Sequence, residues 1–219
     1  MNWKWMRHAS WLDTRARFVA STRRDGTLLD LGSSDGETLR HLRELRPDLN
    51  LIACDLQGAP ETYPPDTRYL QADLVHDVLD LPNNSVDAVT CMHLVEHLSD
   101  LEPMFREVAR VLVPGGRAYF ETPHAKTVDF PHCPEESPVA FTLNFYDDNT
   151  HVAPVLPSRM QALAYSVGLQ SGRSGISRNL VFALSHLVYR FRPWSRQRLT
   201  AYVHWRGWSA YAMASKASK

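Results

Sequence analysis

A chain of 219 residues is long enough for one α/β domain with a sizeable core and short for two full domains. Apolar residues make up 44% and charged residues 22%, which is ordinary for a globular protein, and no apolar run approaches the roughly 18 residues of a membrane span. The net charge is zero, but residues 1–148 hold 14 Lys/Arg and all 24 Asp/Glu, whereas residues 149–219 hold 10 Lys/Arg and no acid. We therefore expect an acidic body followed by a basic segment.

The cysteines and the N-terminal residues indicate a reducing compartment. Cys54, Cys91 and Cys133 are an odd number without C-x-x-C spacing, which disfavours a disulfide framework and a zinc site built on thiolates. The opening MNWKWMRHAS lacks the apolar stretch and cleavage site of a secretory signal. We expect reduced thiols and a cytoplasmic location.

Short apolar runs alternate with helical patterns in the first half of the chain. We expect strands at 27–31, 51–55, 68–74, 86–91 and 117–123. We expect helices at 37–45 and 101–112, with Met104, Phe105, Val108 and Leu112 on one face of the second and Pro114-Gly115-Gly116 closing it. This alternation predicts an α/β fold, a doubly wound and mostly parallel sheet with helices on both faces.

The second half is less regular. Residues 124–156 are rich in Pro, His and aromatic residues and lack periodicity, which predicts an insertion or lid over the site. A helix is expected from Ser158, as its cap, to Gly168, whereas LVFALSHLVYRF at 180–191 fits either a strand or an amphipathic helix. We expect one domain with a ligand-binding core at 25–123, the insertion at 124–156 and the remainder of the fold with a basic aromatic segment at 157–219.

The loop LLDLGSSDGETL at 28–39 is the clearest candidate binding element. A strand that leads through a glycine turn into a helix brings backbone N–H groups close to a ligand. A dinucleotide fingerprint would read G-x-G-x-x-G, but here the middle glycine between Gly32 and Gly36 is missing, and Asp30 stands two residues before Gly32. The acid would repel a pyrophosphate and suits a ligand with an ammonium or sulfonium charge. The alternative is a plain turn in an unliganded doubly wound fold.

Two further acids extend this candidate site. Asp55 ends the second strand, 19 residues after Gly36, where a carboxylate can accept hydrogen bonds from both ribose hydroxyls of an adenosine. Asp73, in QADL at the end of the third run, can accept a hydrogen bond from the exocyclic amine of adenine. As a strand-end cap, Asp55 would need no ligand.

Five motifs in order, DLGSSDG, ACD, QADL, LPNNSVDAVTCMHLVEHL and LVPGG, resemble the class I S-adenosylmethionine-dependent methyltransferases, the type 11 group in particular, over about residues 25–123. The resemblance implies a seven-stranded Rossmann-like sheet, S-adenosyl-L-methionine as the cofactor and S-adenosyl-L-homocysteine as its product. It implies a methionine end of the cofactor near Asp30, Gly32 and Gly36, a ribose on Asp55, adenine at Asp73 and Leu74, and a methyl close to Met92 and His93. Ser33 and Leu56 complete the expected cofactor-binding residues.

Methyl transfer to a hydroxyl requires the loss of a proton, and three histidines are candidate bases. His97 lies in VEHL after the fourth strand, four residues beyond His93, and His124 follows the fifth strand, where sheet ends face the ligand crevice. His151 lies in NFYDDNTHVAP, where Asp147 or Asp148 can orient it. The alternative for each is structural, as a turn-fixing histidine or part of a capped Asx-turn loop.

Two other uses of these residue types remain open. His124, His132, Cys133 and His151 are a possible zinc set, but their irregular loop spacing disfavours it, and we expect no metal. The basic segment interleaves arginines with aromatic residues, which suits a peripheral contact with an anionic membrane, a phosphorylated or lipid-linked acceptor, or a homodimer contact. A helix that packs its aromatics on the domain is the plainer alternative, and nucleic acid is disfavoured because no RNA-binding module accompanies the segment.

The function predicted from the sequence is O-methylation of a hydroxyl on a sugar, glycolipid or small-molecule acceptor. The short DD-x-THV segment resembles methyltransferases of bacterial polysaccharide, glycolipid and other sugar-containing products, which favours a sugar-type hydroxyl. N-methylation of a small amine, and a non-catalytic cofactor-binding partner protein, are the alternatives. CMHLVEH stands where amino-methylating DNA enzymes have an NPPY-type tetrapeptide, which disfavours nucleobases, and the missing middle glycine disfavours a nicotinamide-dependent oxidoreductase.

Overall fold

The computed structural model describes residues 3–133 and 142–218, which build one seven-stranded sheet of order β3-β2-β1-β4-β5-β7-β6. Strands β1 to β5 pair in parallel, and β7 runs antiparallel to both of its neighbours. The strands are β1 (Thr27–Leu31), β2 (Asn50–Asp55), β3 (Arg68–Gln71), β4 (Val86–Met92), β5 (Leu112–Pro123), β6 (Gln170–Ser177) and β7 (Ser209–Ser215). The predicted Rossmann-like, mostly parallel sheet is confirmed.

Helices cover both faces of this sheet. They are α1 (Trp3–Met6), α2 (Thr14–Ala20), α3 (Glu37–Leu45), α4 (Glu102–Val111), α5 (Pro157–Ser166), α6 (Leu180–Tyr189) and α7 (Arg196–Arg206). Leu28 packs into a cluster with α2 and α3, whereas Leu29 packs with α4 and α5 on the opposite face. Strand β1 is therefore buried on both sides, which explains why three of its five residues are leucines.

Two predicted helix ends are wrong. Helix α4 ends at Val111, and Leu112 pairs with Val86 as the first residue of β5, so Pro114-Gly115-Gly116 lies within the strand. The extended backbone of Leu112 (ψ 134°) takes it off the helical face. Helix α5 has Leu156 as its cap residue, without a side-chain hydrogen bond, and Pro157 in its first turn, so Ser158 is not the cap.

The segment 180–191, open between strand and helix in the sequence, contains helix α6. Asn179 fixes its start, because its side-chain oxygen accepts from the backbone N–H groups of Val181 and Phe182. Helices α6 and α7 contact each other as a hairpin, referred to below as the α6–α7 hairpin. Strand β7 follows the hairpin; the resemblance implied a seven-stranded sheet, but no sequence pattern located this strand.

The predicted insertion, residues 124–156, is described except for its residues 134–141. Its described parts contain 3-10 turns at Ala125–Asp129 and Phe145–Asp147. The Asn144 side chain donates to Val128 O and Phe130 O, and Trp208 Nε1 donates to Leu143 O at 2.8 Å. Hydrogen bonds thus join the two described parts of the insertion to each other and to Trp208, the residue before β7. The role of the insertion as a lid stays a prediction.

Candidate active site

The carboxyl ends of the parallel strands bring the predicted site residues to one edge of the sheet. Leu31 pairs with Cys54 on one side and with Cys91 on the other, so the loops after β1, β2 and β4 leave the sheet side by side. In open α/β sheets ligands bind in the crevice at this edge.

Backbone geometry explains the glycines of the first loop. Gly32 and Gly36 have φ of +75° and +77°, in the left-handed region that favours glycine. A Cβ on Gly32 would lie 3.0 Å from Leu94 Cβ, and a Cβ on Gly36 would lie 2.5 Å from the ring of Tyr63. Asp55 fixes the loop from the next strand, because its Oδ2 accepts from Ser34 N at 2.8 Å.

Tyr63 holds the same loop and was missed by the sequence reasoning. Its hydroxyl donates to Ser34 O at 2.9 Å, lies 3.0 Å from Ser33 Oγ and accepts from Ala59 N at 3.2 Å. The tyrosine therefore joins the loops after β1 and β2. Nothing in the proline-rich ETYPPD marks it, since the contact spans about thirty residues.

Asp30 is a buried acid with one unpartnered oxygen. Its Oδ1 accepts from Thr90 Oγ1 at 2.6 Å, whereas Oδ2 has no hydrogen-bond partner within the described residues. Burial raises the pKa of Asp30 to about 7, Thr90 and Arg15 oppose that rise, and Asp55 adds to it. A cation beside Oδ2 would relieve this cost. This environment fits the ammonium group of S-adenosylmethionine.

The residues expected around adenine are placed less uniformly. Asp73 accepts from Val75 N at 2.9 Å and lies 3.0 Å from His76 Nδ1, and both contacts lower its pKa. Leu74 is buried in the core, and Leu56 is exposed. The adenine contacts therefore stay predictions.

His93 is held between two buried carboxylates. Its Nδ1 lies 3.4 Å from Glu96 Oε1, and its Nε2 lies 3.4 Å from Glu121 Oε1. Burial alone would lower the pKa of His93, but the two carboxylates outweigh it and raise the pKa to about 9. Glu121 is fixed in turn by the Tyr119 hydroxyl at 2.6 Å and by Arg15 at 3.6 Å. His93 is thus a cation at neutral pH rather than a base.

His97 and His151 form a pair with ring centroids 4.7 Å apart. His97 Nδ1 lies 2.9 Å from Thr150 Oγ1, whose hydroxyl donates to Asp148 Oδ1 at 2.6 Å, so His97 donates from Nδ1. His151 Nδ1 lies 2.6 Å from the carbonyl oxygen of Phe145, which can only accept. When neutral, both imidazoles therefore carry a free lone pair on Nε2.

Glu96 lies against this histidine pair and was not among the predicted site residues. Its side chain is fully buried, and neither carboxylate oxygen has a hydrogen-bond partner within the described residues. One ligand atom each from Glu96, His97 and His151 lies within 4.8 Å of the other two. An acid inside VEHL, flanked by apolar residues, is the sequence signal that could have found it.

The remaining histidine candidates lie in other contacts. His124 caps the turn at 125–129, with Nδ1 accepting from Lys126 N at 3.1 Å, and burial and then Lys126 lower its pKa. Asp147 pairs with His132, whereas Asp148 is the acid near His151, with Oδ2 3.9 Å from Nε2. Within the described ranges the group of three potential metal ligands is Glu96, His97 and His151, so the zinc set considered from the sequence is not brought together. A catalytic role for His124 stays a prediction.

Comparisons with known proteins agree with this geometry. Residues 29–120 match the family described as a methyltransferase domain. A ubiquinone biosynthesis O-methyltransferase of Xanthomonas oryzae pv. oryzae is 35% identical over 79 residues, 36% of this chain and 31% of that protein. A demethylmenaquinone methyltransferase of Thermus thermophilus is 29% identical over 111 residues, 47% of this chain and 50% of that protein. The chain thus matches at most half the length of these curated relatives.

The fold extends the likeness over nearly the whole chain. The crystal structure of an S-adenosylmethionine dependent methyltransferase from Mesorhizobium loti superposes with a TM-score of 0.63 at 18% identity, covering 92% of this chain and 96% of that one. The family match over residues 29–120 and this superposition agree on the Rossmann-like fold of S-adenosylmethionine-dependent methyltransferases. The loop from Asp30 to Gly36 lies where the sequence predicts the cofactor, and it is called the cofactor loop below; its contacts with the cofactor stay predictions.

Proposed function

We propose that this protein transfers the methyl group of S-adenosylmethionine to a hydroxyl oxygen of a small-molecule, sugar or glycolipid acceptor. The observation that carries the proposal is the His97–His151 pair, in which His97 of the segment that follows β4 meets His151 of the insertion with ring centroids 4.7 Å apart. The same segment contacts the cofactor loop, because Leu94 lies against Gly32. The cofactor, when bound, supplies an electrophilic methyl on a sulfonium.

The residues of this chain would bind the cofactor and accept the proton of the acceptor. Asp30 would pair with the cofactor's ammonium group, and Asp55 would accept from its ribose. His97 or His151 would take the acceptor's proton at Nε2. The hydrogen bond from Thr150 lowers the pKa of Asp148, and the two histidines lower it further. This carboxylate is therefore ionised, and it would stabilise an imidazolium beside it.

Oxygen and nitrogen acceptors differ in their need for a base. A hydroxyl must lose its proton during attack, whereas a neutral amine attacks with a free lone pair. The relative from Xanthomonas oryzae carries O-methyltransferase in its name, which supports oxygen. Loss of turnover in His97→Ala and His151→Ala would favour a hydroxyl, and retained turnover would favour an amine.

A cavity between the insertion and the α6–α7 hairpin supports an acceptor with negative charge. Its volume is about 400 Å³, and it is lined by Pro131, His132, Leu143, His186, Arg190, Trp194, Arg198 and Tyr202. The arginines suit a phosphate or carboxylate, and the aromatic rings suit an apolar or sugar face. His132 connects this cavity to the candidate site, since it pairs with Asp147, next to Asp148.

The outer face of the hairpin supports a peripheral membrane contact, which would suit a glycolipid. Leu184, Val188 and Phe191 are 62%, 61% and 76% exposed, and Arg190 and Arg192 lie beside them. Charge complementarity favours an anionic lipid surface, because residues 149–219 carry no acid. Among the described residues, no helix is long and apolar enough to span a membrane.

Vesicle sedimentation tests this contact. We expect binding to phosphatidylserine-containing vesicles, weaker binding to pure phosphatidylcholine, and loss of binding in Phe191→Ser. Tyr165→Ser is the matched control, because Tyr165 is an aromatic residue of α5 with 75% exposure. Equal binding of both variants, or a dimer that Phe191→Ser disrupts in sedimentation equilibrium, would assign the face to something other than lipid.

Calorimetric titration with S-adenosylmethionine and S-adenosylhomocysteine tests the proposed function first. We expect micromolar binding that Asp55→Ala weakens at least tenfold. Turnover is then measured by S-adenosylhomocysteine release with hydroxylated acceptors, with and without phosphate. Binding without turnover on any of them would favour the non-catalytic partner protein, and absence of binding would contradict the proposal.

A further inference from the structure

We propose that Glu96, His97 and His151 form a binding site for one divalent transition-metal ion. Their ligand atoms lie within 4.8 Å of one another. Ligands about 2.1 Å from a tetrahedral zinc ion are roughly 3.4 Å apart, so side-chain shifts of about 1 Å would close the set around a cation. Two imidazole nitrogens and one carboxylate suit zinc, cobalt, iron or manganese better than magnesium or calcium.

The outer contacts of the two histidines prepare them as ligands. Metal-bound histidines almost always donate the N–H of the other ring nitrogen to an oxygen, which fixes the tautomer and the ring. Here His97 Nδ1 donates to Thr150 Oγ1 at 2.9 Å, and His151 Nδ1 donates to Phe145 O at 2.6 Å. Both Nε2 atoms are thereby left as the potential metal-binding atoms.

Glu96 supplies an independent observation. A buried carboxylate without hydrogen bonds is costly, and both Glu96 oxygens lack a hydrogen-bond partner within the described ranges. His93 Nδ1, 3.4 Å from Oε1, is a charge partner of that oxygen. Val152 N donates to the Glu96 backbone carbonyl at 2.8 Å, which ties this residue to the segment that carries His151. A cation between Glu96 and the imidazoles would satisfy the second oxygen.

The inference deepens the proposed function and rests on it for the reaction. An acceptor hydroxyl beside a divalent cation has a lowered pKa and loses its proton more readily, here to Asp148 or water. The oxygen lone pair then forms the O–CH₃ bond, the S–CH₃ bond breaks, and its electron pair returns to sulfur as S-adenosylhomocysteine leaves. In this form of the reaction His97 and His151 are metal ligands rather than bases. The sequence analysis expected no metal, so the proposed site departs from that expectation.

The test is metal titration of the full chain after treatment with a chelator. We expect calorimetry to give one equivalent of Zn²⁺ or Mn²⁺ with a micromolar or tighter Kd. Glu96→Gln should weaken binding at least tenfold, and His151→Ala at least a hundredfold. Co²⁺ should give visible absorption bands that both variants lose.

His8→Ala is the matched control, because His8 is an exposed histidine that belongs neither to the candidate site nor to the cavity of the hairpin. Metal binding in this variant should equal that of the wild type. Circular dichroism and thermal unfolding show whether each variant is folded, and Glu96→Gln keeps the shape of the buried side chain. No stoichiometric binding by the wild type, or unchanged binding by folded Glu96→Gln and His151→Ala, would overturn the proposal.

Separate measurements distinguish this inference from the proposed function. Full-rate methyl transfer by metal-free protein would overturn the metal's part in the reaction and leave the methyltransferase proposal intact, with imidazole as the base. One equivalent of metal on these three ligands, together with no binding of S-adenosylmethionine, would contradict the methyltransferase proposal and leave the metal site intact.

Discussion

Asp30 gives the sharpest test of the candidate cofactor site, because its protonation links folding to pH. Burial raises its pKa from 3.8 to about 7, so the folded protein holds a proton that the unfolded chain releases. The stability that this group contributes is fully present below about pH 4 and is lost as pH rises through about 7. Between about pH 5 and 8, wild-type protein should lose about 2 to 3 kcal/mol of unfolding free energy through Asp30.

The perturbation is Asp30→Asn, which keeps the shape and an oxygen that can accept from Thr90. Urea unfolding of both proteins at several pH values gives the difference between their unfolding free energies. The contributions of the other titrating groups are common to both proteins and cancel in this difference. That difference should favour the variant by about 2 to 3 kcal/mol more at pH 8 than at pH 5. A difference that is constant across this range would refute the raised pKa.

The same variant tests what lies beside Oδ2. If the cofactor's ammonium pairs with Asp30, binding requires the ionised carboxylate, and wild-type affinity for S-adenosylmethionine rises up to tenfold per pH unit until about pH 7. The Asn variant should bind weakly at every pH, with a flat profile. A wild-type affinity that is independent of pH would remove Asp30 from the cofactor contacts.

Three further predictions use other residues. Gly36→Val should lower cofactor affinity more than tenfold in calorimetry, because its Cβ would lie 2.5 Å from the Tyr63 ring. Gly168→Ala is the control, because Gly168 also has a positive φ of +85° but a Cβ there would meet no atom within 4 Å. This variant should lose only about 1 kcal/mol of stability and keep its cofactor affinity. Tyr63→Phe should lower the unfolding free energy in urea by about 1 to 2 kcal/mol and weaken cofactor binding, since it removes the hydroxyl that joins two loops. Burial lowers the pKa of His204 from 6.5 to about 4, so the stability that this group contributes is present above pH 6.5 and is lost as pH falls toward 4. His204→Gln should remove about 3 kcal/mol of that pH dependence of the unfolding free energy in urea. The same pH dependence in both proteins would contradict this prediction.

Sequence patterns located the cofactor-binding half of the fold because local chemistry determines it. Strand β1 and helix α3 match their predicted bounds, 27–31 and 37–45. A strand buried on both faces requires mostly apolar residues, and a helix that packs one face on the sheet requires regularly spaced ones, here a leucine at every third position. The glycine positions were predictable for the same reason. Gly32 and Gly36 occupy left-handed backbone conformations that sequence alone can indicate.

The parts that sequence did not indicate depend on contacts between distant residues. Burial alone would raise the pKa of Glu121, but Arg15, from the N-terminal part of the chain, and His93 hold that pKa well below its usual range. Glu96 meets His151 only after the insertion folds back, through Val152 N and the Glu96 carbonyl. Strand β7 enters between β5 and β6 from the end of the chain, a topology that no local pattern encodes.

The zero net charge conceals an arrangement that bears on the acceptor. Helix α7 returns the basic segment to the cofactor loop, because Arg196 lies 3.1 Å from Glu37, the residue that follows Gly36. An exposed ion pair of this kind adds little stability, and its consequence here is that it places helix α7 next to the cofactor loop. The hairpin thereby brings arginines close to an edge of the sheet that carries Asp30 and Asp55. A cationic cofactor would neutralise the acidic side, and an anionic acceptor would neutralise the basic one, which favours a phosphorylated or carboxylated hydroxyl compound over a neutral amine.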